Sequence, residues 1–255
     1  MPRFVLFFLT LFLTFPIRAE SETGLWGQPP KIAVVIDDLG VDRRGTRAVI
    51  GLPAPLTLSF LAYADDLDAQ TERASRAGHE LFLHVPMEPV GNAYPGAGAL
   101  RAAMSDNELR GALDVALSAF PGYVGVNNHM GSRLTADKRA MDTVMAELKN
   151  RDLIFLDSVT TPDSVAARSA AEAGLPCAVR DVFLDHVRTR KEVLKRVREL
   201  ERLALRNGFA VGIGHPHAVT TAVLKEWIPD AASRGFVFVP VSDVARKKPA
   251  AGLYP

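Results

Sequence analysis

The 255-residue sequence has a single cysteine, no excess charge of either sign and only one long apolar run. Cys177 alone can form no internal disulfide bond, and a metal site built from several thiolates is excluded. Thirty basic against 29 acidic residues give a net charge of +1. A basic excess, which usually marks nucleic-acid-binding proteins, is therefore missing, and we expect no nucleic-acid partner.

The apolar run lies at the N-terminus, where FVLFFLTLFLTF follows Arg3 and precedes the polar exit PIRAE. This three-part form is typical of a secretory signal peptide with cleavage near Ala19. A retained membrane anchor is the alternative, but the run is shorter than the roughly 20 residues that span a bilayer. We predict a signal peptide at 1–19, a linker at 20–30 and export, with the periplasm of a Gram-negative bacterium as the expected location.

Apolar, β-branched runs alternate with helical patterns through the rest of the chain. Strands are predicted at 32–36, 56–61, 80–85, 123–126, 153–156, 178–184, 209–213 and 236–241. Helices are predicted at 67–78, 105–119, 135–150, 162–174, 190–207 and 219–228. This alternation predicts an α/β fold with a parallel sheet, and seven or eight units favour a distorted (β/α) barrel over an open, doubly wound sheet. The barrel domain is expected at 31–246, followed by a flexible tail at 247–255.

Polar residues cluster at the predicted carboxyl ends of the strands, where parallel folds carry their functional groups. They are Asp37 and Asp38 after the first strand, His84 and Glu88 after the third, Asn127, Asn128 and His129 after the fourth, Asp157 and Ser158 after the fifth, Asp185 and His186 after the sixth, and His215 and His217 after the seventh. Asp157 and Ser158 can equally hydrogen-bond the turn that follows them, and His186 can be an ordinary loop residue. The loop at 90–103 is long enough for an active-site lid.

Carboxylates and imidazoles that meet on one rim suggest a divalent metal site, above all for zinc. Adjacent residues that leave a strand point in different directions, so only one of Asp37 and Asp38 needs to face the metal. The other can accept a proton. Repulsion between adjacent carboxylates raises their pKa values, whereas a nearby dication lowers them and keeps both ionised.

Six ordered motifs resemble those of the divergent polysaccharide deacetylases, relatives of the metal-dependent carbohydrate esterases that deacetylate chitin and peptidoglycan. The motifs are VVIDDLG, LHVPMEP, VNNHMGSRLTAD, FLDSVTT, RDVFLD and GIGHPH, and they cover nearly the whole chain after the leader. The resemblance implies a hydrolase that removes N-acetyl groups from an envelope or extracellular glycan such as peptidoglycan. It also implies a divalent metal, most simply zinc, and leaves room for envelope protein partners.

The same resemblance implies roles for single residues. The match between VIDDLG and the family's first motif makes Asp37 the general base and Asp38 a metal ligand. His84 corresponds to the first histidine ligand, while Glu88 stands where the second is expected. The third ligand is therefore either His129 or Glu88. By the same resemblance the general acid would be His215, with His217 as a second candidate for that role. Asn128 and Asp157 are additional site candidates.

Two further functions stay open from the sequence. Glu88 and the lack of the arginine motif of the classical enzymes favour a metal- or glycan-binding envelope protein without catalysis. Retention of both aspartates and of His215 favours an enzyme. A metal-dependent hydrolase of another bond, such as an ester, is the third reading.

Overall fold

The structure is a computed structural model, and it describes residues 27–53 and 55–245. The predicted signal peptide, most of the predicted linker and the predicted tail lie outside the described residues. The strands are β1 Lys31–Leu39, β2 Thr57–Leu61, β3 Glu80–Met87, β4 Gly125–Met130, β5 Ile154–Asp157, β6 Cys177–Val179, β7 Val182–Phe183, β8 Phe209–Gly214 and β9 Val237–Phe238. The α-helices are α1 Arg43–Ile50, α2 Leu67–Arg76, α3 Asp106–Leu117, α4 Lys138–Lys149, α5 Ala166–Ala173, α6 Arg190–Asn207 and α7 Ala218–Ser233.

The strands form one parallel sheet in the order β6-β5-β4-β3-β2-β1-β8-β7, and β9 pairs with β1 below this path. The predicted distorted (β/α) barrel is thereby confirmed, and the open doubly wound order is not found. The two ends of the sheet are joined through Arg180 and Asp181. The Arg180 amide donates to Asp157 O on one side, and the Asp181 amide donates to Val211 O on the other. Within residues 27–53 and 55–245, no strand pairing joins β6 to β7, and the chain itself connects the two ends of the sheet.

This connection, the Arg180–Asp181 seam, also explains one difference from the predicted elements. The single strand expected at 178–184 is split into β6 and β7, because Arg180 and Asp181 turn their backbone groups to different neighbours. Another difference is α1, which has no counterpart among the predicted helices. It begins at the N-cap Asp42, whose carboxylate accepts the Arg44 amide, and its two turns were too short for a clear helical period.

The six predicted helices are all present, five of them with shifted ends. The predicted capping box of α3 is formed, since the Ser105 hydroxyl accepts the Glu108 amide while the Glu108 carboxylate accepts the Ser105 amide. The helix α6 matches its predicted bounds and ends at Gly208, whose φ of 85° suits glycine. Within the part of the chain that the structure describes, no helix is long and apolar enough to cross a bilayer.

Two apolar cores lie on opposite faces of the sheet, because side chains alternate along each strand. The larger core packs the outer face of the strands against the helices. The smaller core fills the lower barrel, and it contains Ala33, Val35, Phe82, Leu156, Ala178, Val211, Ile213, Val239, Val241 and Val244. The last three come from the segment after β9, which therefore closes the bottom of the barrel. The upper interior is left to polar side chains.

Candidate metal centre

The candidate site is the upper layer of the barrel interior, and strand alternation places it there. On β1 the inward positions run Ala33, Val35, Asp37, so a carboxylate follows two small apolar side chains. On β3 and β8 the same period leads from Phe82 to His84 and from Ile213 to His215. Asp37, His84, Ile213 and His215 line an open cleft of about 420 Å³.

Asp38 would face the outer core if β1 stayed regular, but a β-bulge turns it into the cleft. The register between β1 and β2 passes from Ile36 opposite Leu58 to Leu39 opposite Phe60, so β1 carries one extra residue. Asp38 takes a left-handed backbone with φ of 58° at this point. Both neighbouring carboxylates therefore face the same site. The expectation that they point in different directions holds only for a regular strand.

Three ligand atoms converge in the cleft. Asp38 Oδ1 lies 2.9 Å from His129 Nδ1 and 3.3 Å from His84 Nε2, and the two ring nitrogens are 3.2 Å apart. Tetrahedral ligands held ~2.0–2.1 Å from zinc lie about 3.3 Å from one another. Asp38 Oδ1 is buried and makes no hydrogen bond of good geometry. The spacing and the unsatisfied oxygen fit a cation with Asp38, His84 and His129 as ligands.

Asn127 fixes which nitrogen of His84 is available. Its Oδ1 lies 2.8 Å from His84 Nδ1, and because an amide oxygen can only accept, the His84 proton sits on Nδ1. His84 Nε2 then presents a lone pair to Asp38 and His129. Lone pairs that face each other at this distance repel unless a cation or a proton lies between them, which again fits a metal.

The charges of the ligands follow from this packing. Burial opposes ionisation of Asp38, but polar contacts with His129 and His84 outweigh it and hold the Asp38 pKa well below its usual value. Burial also lowers the pKa of His84, and the charges of Asp37 and Asp38 more than offset it, so the His84 pKa is raised. The carboxylate is thus ionised at neutral pH, as a metal ligand must be.

Asp37 is buried beside this group without belonging to it. Its Oδ1 accepts the Asn127 amide at 2.8 Å, and its Oδ2 lies 3.7 Å from His84 Nε2. Burial raises the Asp37 pKa, and the nearby His84 and His215 offset only part of the increase. A carboxyl group with a raised pKa is a better proton acceptor than an ordinary aspartate.

His215 lies on the other side of Asp38 and is oriented by Asp185. The Asp185 carboxylate accepts both the His215 backbone amide at 2.7 Å and its ring Nδ1 at 2.9 Å, which leaves Nε2 facing the cleft 3.8 Å from Asp38 Oδ2. Burial lowers the His215 pKa, but the hydrogen bond and charge of Asp185 outweigh it and raise the pKa. His215 therefore keeps a proton to higher pH than a free histidine.

His217 stacks on His215, with ring centroids 5.8 Å apart. Asp185, His215 and His217 form a second group of atoms close enough for one ion. The Asp185 carboxylate, however, already accepts hydrogen bonds from His215 and from the Thr220 hydroxyl. The Asp185 carboxylate is therefore satisfied without a cation.

The remaining predicted residues lie around the site rather than at the ligand group. Glu88 accepts the Ala102 amide at 2.8 Å and contacts Arg133, so the structure does not bring its carboxylate to Asp38 and His84. Asn128 and Asp157 mainly hold loops of the rim. Asn128 lines the cleft, accepting the Ser158 amide and donating to Met130 O. Asp157 accepts hydrogen bonds from the Val159 amide and the Ser164 hydroxyl. It therefore stabilises the turn that follows it, one of the two roles that the sequence left open.

Two residues of the site had no role in the sequence interpretation. Asn127 lies two residues before His129 on β4, so both side chains point to the inside of the barrel. This two-residue spacing was the signal for Asn127 in the sequence. Arg180 lines the cleft, donates to Ser158 O and Val159 O, and contributes positive charge near Asp37. A charged residue inside a predicted apolar strand was the signal for Arg180.

Comparisons with known proteins agree with this geometry. The family model described as divergent polysaccharide deacetylase matches residues 34–245. The uncharacterized protein YibQ of Escherichia coli is 34% identical over 198 residues, which are 78% of this chain and 62% of YibQ. The chain thus spans less than two thirds of that relative's length. An uncharacterized protein of Haemophilus influenzae is 33% identical over 195 residues, 76% of this chain and 70% of the relative.

Solved structures share the barrel. The crystal structure of an uncharacterized protein from Agrobacterium tumefaciens is 30% identical, with a TM-score of 0.83 over 88% of this chain and 92% of that one. A CE4 family pseudoenzyme from Bacillus anthracis is 12% identical, with a TM-score of 0.52 over 91% of this chain and 68% of that chain. The second likeness concerns the fold alone.

Proposed function

The chain belongs to the divergent polysaccharide deacetylase family, and from this premise we propose that it is a metal-dependent hydrolase that removes N-acetyl groups from a glycan. The observation that carries the proposal is the convergence of Asp38, His84 and His129 around a buried, unsatisfied carboxylate oxygen. A second carboxylate and a carboxylate-bound histidine flank this group. Metal-dependent amide hydrolysis uses such a set: a Lewis acid, a base and an acid.

Asp38, His84 and His129 would hold the metal, which we propose to be zinc because a carboxylate and two imidazoles suit it. A bound divalent cation supplies Lewis-acid activation of water and of the substrate carbonyl. Asn127 fixes the ring of His84, as the partners of metal-binding histidines generally do.

Asp37 acts as the general base in this proposal. Asn127 anchors its Oδ1, so Oδ2 is free to take a proton from the attacking water. The raised pKa favours that transfer, since a base close to the operating pH accepts a proton more readily.

His215 acts as the general acid. Asp185 holds its Nδ1 proton and raises its pKa, so the ring carries a second proton on Nε2, which faces the cleft. That proton can pass to the leaving amine when the carbon–nitrogen bond breaks. His217 stacks on the His215 ring and can help to hold it in place.

We further propose that the substrate is an envelope glycan such as peptidoglycan and that the protein acts in the periplasm. The proposal of location rests on the N-terminal sequence pattern, and envelope protein partners would be compatible with it. Metal content and acetate release from peptidoglycan and from N-acetylated oligosaccharides test the function directly. Bound metal without acetate release from any of them would instead support a non-catalytic metal- or glycan-binding protein.

The sharpest variant is Asp37→Asn. Asparagine keeps the acceptor for Asn127 but cannot take a proton, so we expect unchanged metal content and turnover slower by roughly two to four orders of magnitude. Acetate release and elemental analysis measure the two effects. Asp114→Asn, on the exposed surface of α3, is the matched control and should leave both unchanged. A rate for Asp37→Asn equal to that of the unaltered protein would remove Asp37 from the mechanism.

A further inference from the structure

Exposed apolar side chains concentrate on the rim that carries the metal centre. Among the described residues, the large apolar side chains that are exposed are Val41, Tyr63, Val90, Tyr94, Val115, Val124, Val187 and Val237. Five of these eight follow the carboxyl ends of strands, after β1, β2, β3 and β7. Single exposed apolar residues are ordinary on protein surfaces, but a concentration around one cleft marks a binding surface.

The two tyrosines lie on the same rim as the cleft, after neighbouring strands. Tyr63 follows β2, which lies between β1 and β3, and 38% of it is exposed. Its ring packs on Gly96, where a Cβ atom would lie only 2.3 Å from the ring. Burial and the negative charge of Asp38 both raise the Tyr63 pKa, and Tyr94 adds to the effect. Tyr63 therefore contacts the segment that carries Tyr94, and both tyrosines lie on the rim of the metal centre.

The loop that presents Tyr94 is fixed at both ends. Near its start, the Val90 amide donates to the Ser132 hydroxyl at 2.8 Å. At its end, the Glu88 carboxylate accepts the Ala102 amide at 2.8 Å, and Leu100 bridges to Met87. Tyr94 itself is 73% exposed between these anchors. Most of the Tyr94 side chain is thus open to a ligand, on a loop whose two ends are held in place.

We infer that Tyr63 and Tyr94 form a stacking platform for neighbouring pyranose units of a polymeric, N-acetylated glycan. The apolar C–H faces of a sugar ring pack on an aromatic ring, and the phenol hydroxyl can hydrogen-bond sugar hydroxyls. The inference rests on the proposed function, because the unit that reaches the metal centre must be part of the same chain. It adds that the glycan chain runs across the ends of β1, β2 and β3. A single sugar unit is too short to reach both the metal centre and the platform.

The test is calorimetric binding of the β-1,4-linked N-acetylglucosamine tetramer and monomer to the zinc-loaded protein, with acetate release measured in parallel. Tyr94→Ala should weaken binding of the tetramer roughly three- to tenfold and leave binding of the monomer unchanged. Tyr94→Phe keeps the ring and should retain most of the affinity. Val115→Ala, exposed on α3 away from the rim, is the control and should bind like the unaltered protein.

The two measurements separate the inference from the proposed function. Tetramer binding that depends on Tyr94, without acetate release, would retain the platform and overturn the hydrolase. Suppose instead that Tyr94→Ala binds the tetramer as tightly as the unaltered protein does and releases acetate equally fast from tetramer and monomer. This result would retain the hydrolase and overturn the platform. Failure of the unaltered protein to bind the tetramer would also overturn the platform.

Discussion

Asn127 connects four polar groups in and around the metal centre. It lies within hydrogen-bonding distance of the Ser59 hydroxyl, His84 Nδ1, Asp37 Oδ1 and the Ser158 hydroxyl, and it is fully buried. It therefore orients one proposed ligand and the proposed base at once. Such partners of metal-binding histidines typically contribute a factor of 10–100 to metal affinity.

We predict that Asn127→Ala lowers zinc affinity by about 10- to 100-fold, because His84 loses the acceptor that fixes its ring and tautomer. Competition with a chelator of known affinity measures the effect, and thermal unfolding checks that the variant folds. Asn127→Asp keeps an acceptor for His84 and should bind zinc more tightly than the alanine variant. Asn107→Ala, on the exposed face of α3, should behave like the unaltered protein. Equal zinc affinity in Asn127→Ala and the unaltered chain would contradict this positioning role.

The sequence was sufficient to propose the ligand residues, but it did not show which neighbouring side chains orient them. Aspartates and histidines at strand ends are visible in the sequence because the carboxyl ends of parallel strands meet. The choice between Asn127 and Asn128 depends instead on which face of β4 turns inward. Glu88 illustrates the same limit, since β3 extends to Met87 and the carboxylate then reaches Ala102 rather than the ligand group.

At the scale of elements, the bulge in β1 decides what the site contains. A regular strand would turn Asp37 inward and Asp38 toward the helices, whereas the extra residue brings both to the cleft. Left-handed backbone recurs at Met130 and Val159, at the ends of β4 and β5 on the same rim. For a β-branched residue such as Val159 this conformation is strained. Neither methionine nor valine favours the left-handed region, so the sequence shows no signal for the distortions at Met130 and Val159.

Gly125 illustrates how closely the inner face is packed. It is the inward residue at the start of β4, and a Cβ atom there would lie 2.4 Å from the Phe82 ring and 2.8 Å from Ile154 O. The lower barrel can therefore hold the Phe82 ring only if its neighbour lacks a side chain.

We predict that Gly125→Ala lowers the free energy of unfolding by about 1–3 kcal/mol through overpacking. Urea denaturation measures the change. The double variant Gly125→Ala with Phe82→Leu should recover part of the loss, because the smaller side chain vacates the space at the ring edge. Gly111→Ala, in an open position of α3, is the control and should not destabilise the protein. A Gly125→Ala variant as stable as the unaltered protein would argue against tight packing on this face.

At the scale of the whole molecule, alternation of strands and helices is sufficient to predict the parallel barrel. Its closure is not predictable in the same way. The Arg180–Asp181 seam and the segment that carries Val239 and Val241 depend on contacts between residues far apart in the chain. The Val241 amide, for example, donates to the Thr57 hydroxyl across 184 positions. Local patterns contain no information on such pairings.

His79 is a second long-range contact at the bottom of the barrel, opposite the metal centre. Its Nδ1 accepts the Leu56 amide at 3.3 Å, so the neutral ring carries its proton on Nε2, which lies 3.1 Å from Ile50 O. Burial lowers the His79 pKa below its usual 6.5, and the bond to Ile50 offsets only part of the decrease. Because the folded state binds this proton less readily than the unfolded chain, the contribution of His79 to stability is fully present above pH ~6.5 and is lost as the pH falls through the folded pKa.

The acid sensitivity of the whole fold should therefore depend in part on His79. We predict that His79→Gln is less stable than the unaltered protein at pH 7.5, by about 1–3 kcal/mol, because Leu56 or Ile50 loses a buried partner. Between pH 7.5 and pH 5 the variant should lose less stability than the unaltered protein, since it has no ring to protonate. Urea denaturation at both pH values gives the two differences. His186→Gln, at an exposed position on the opposite rim, should keep the full pH dependence. The same pH dependence in His79→Gln and the unaltered protein would show that protonation of His79 does not oppose folding.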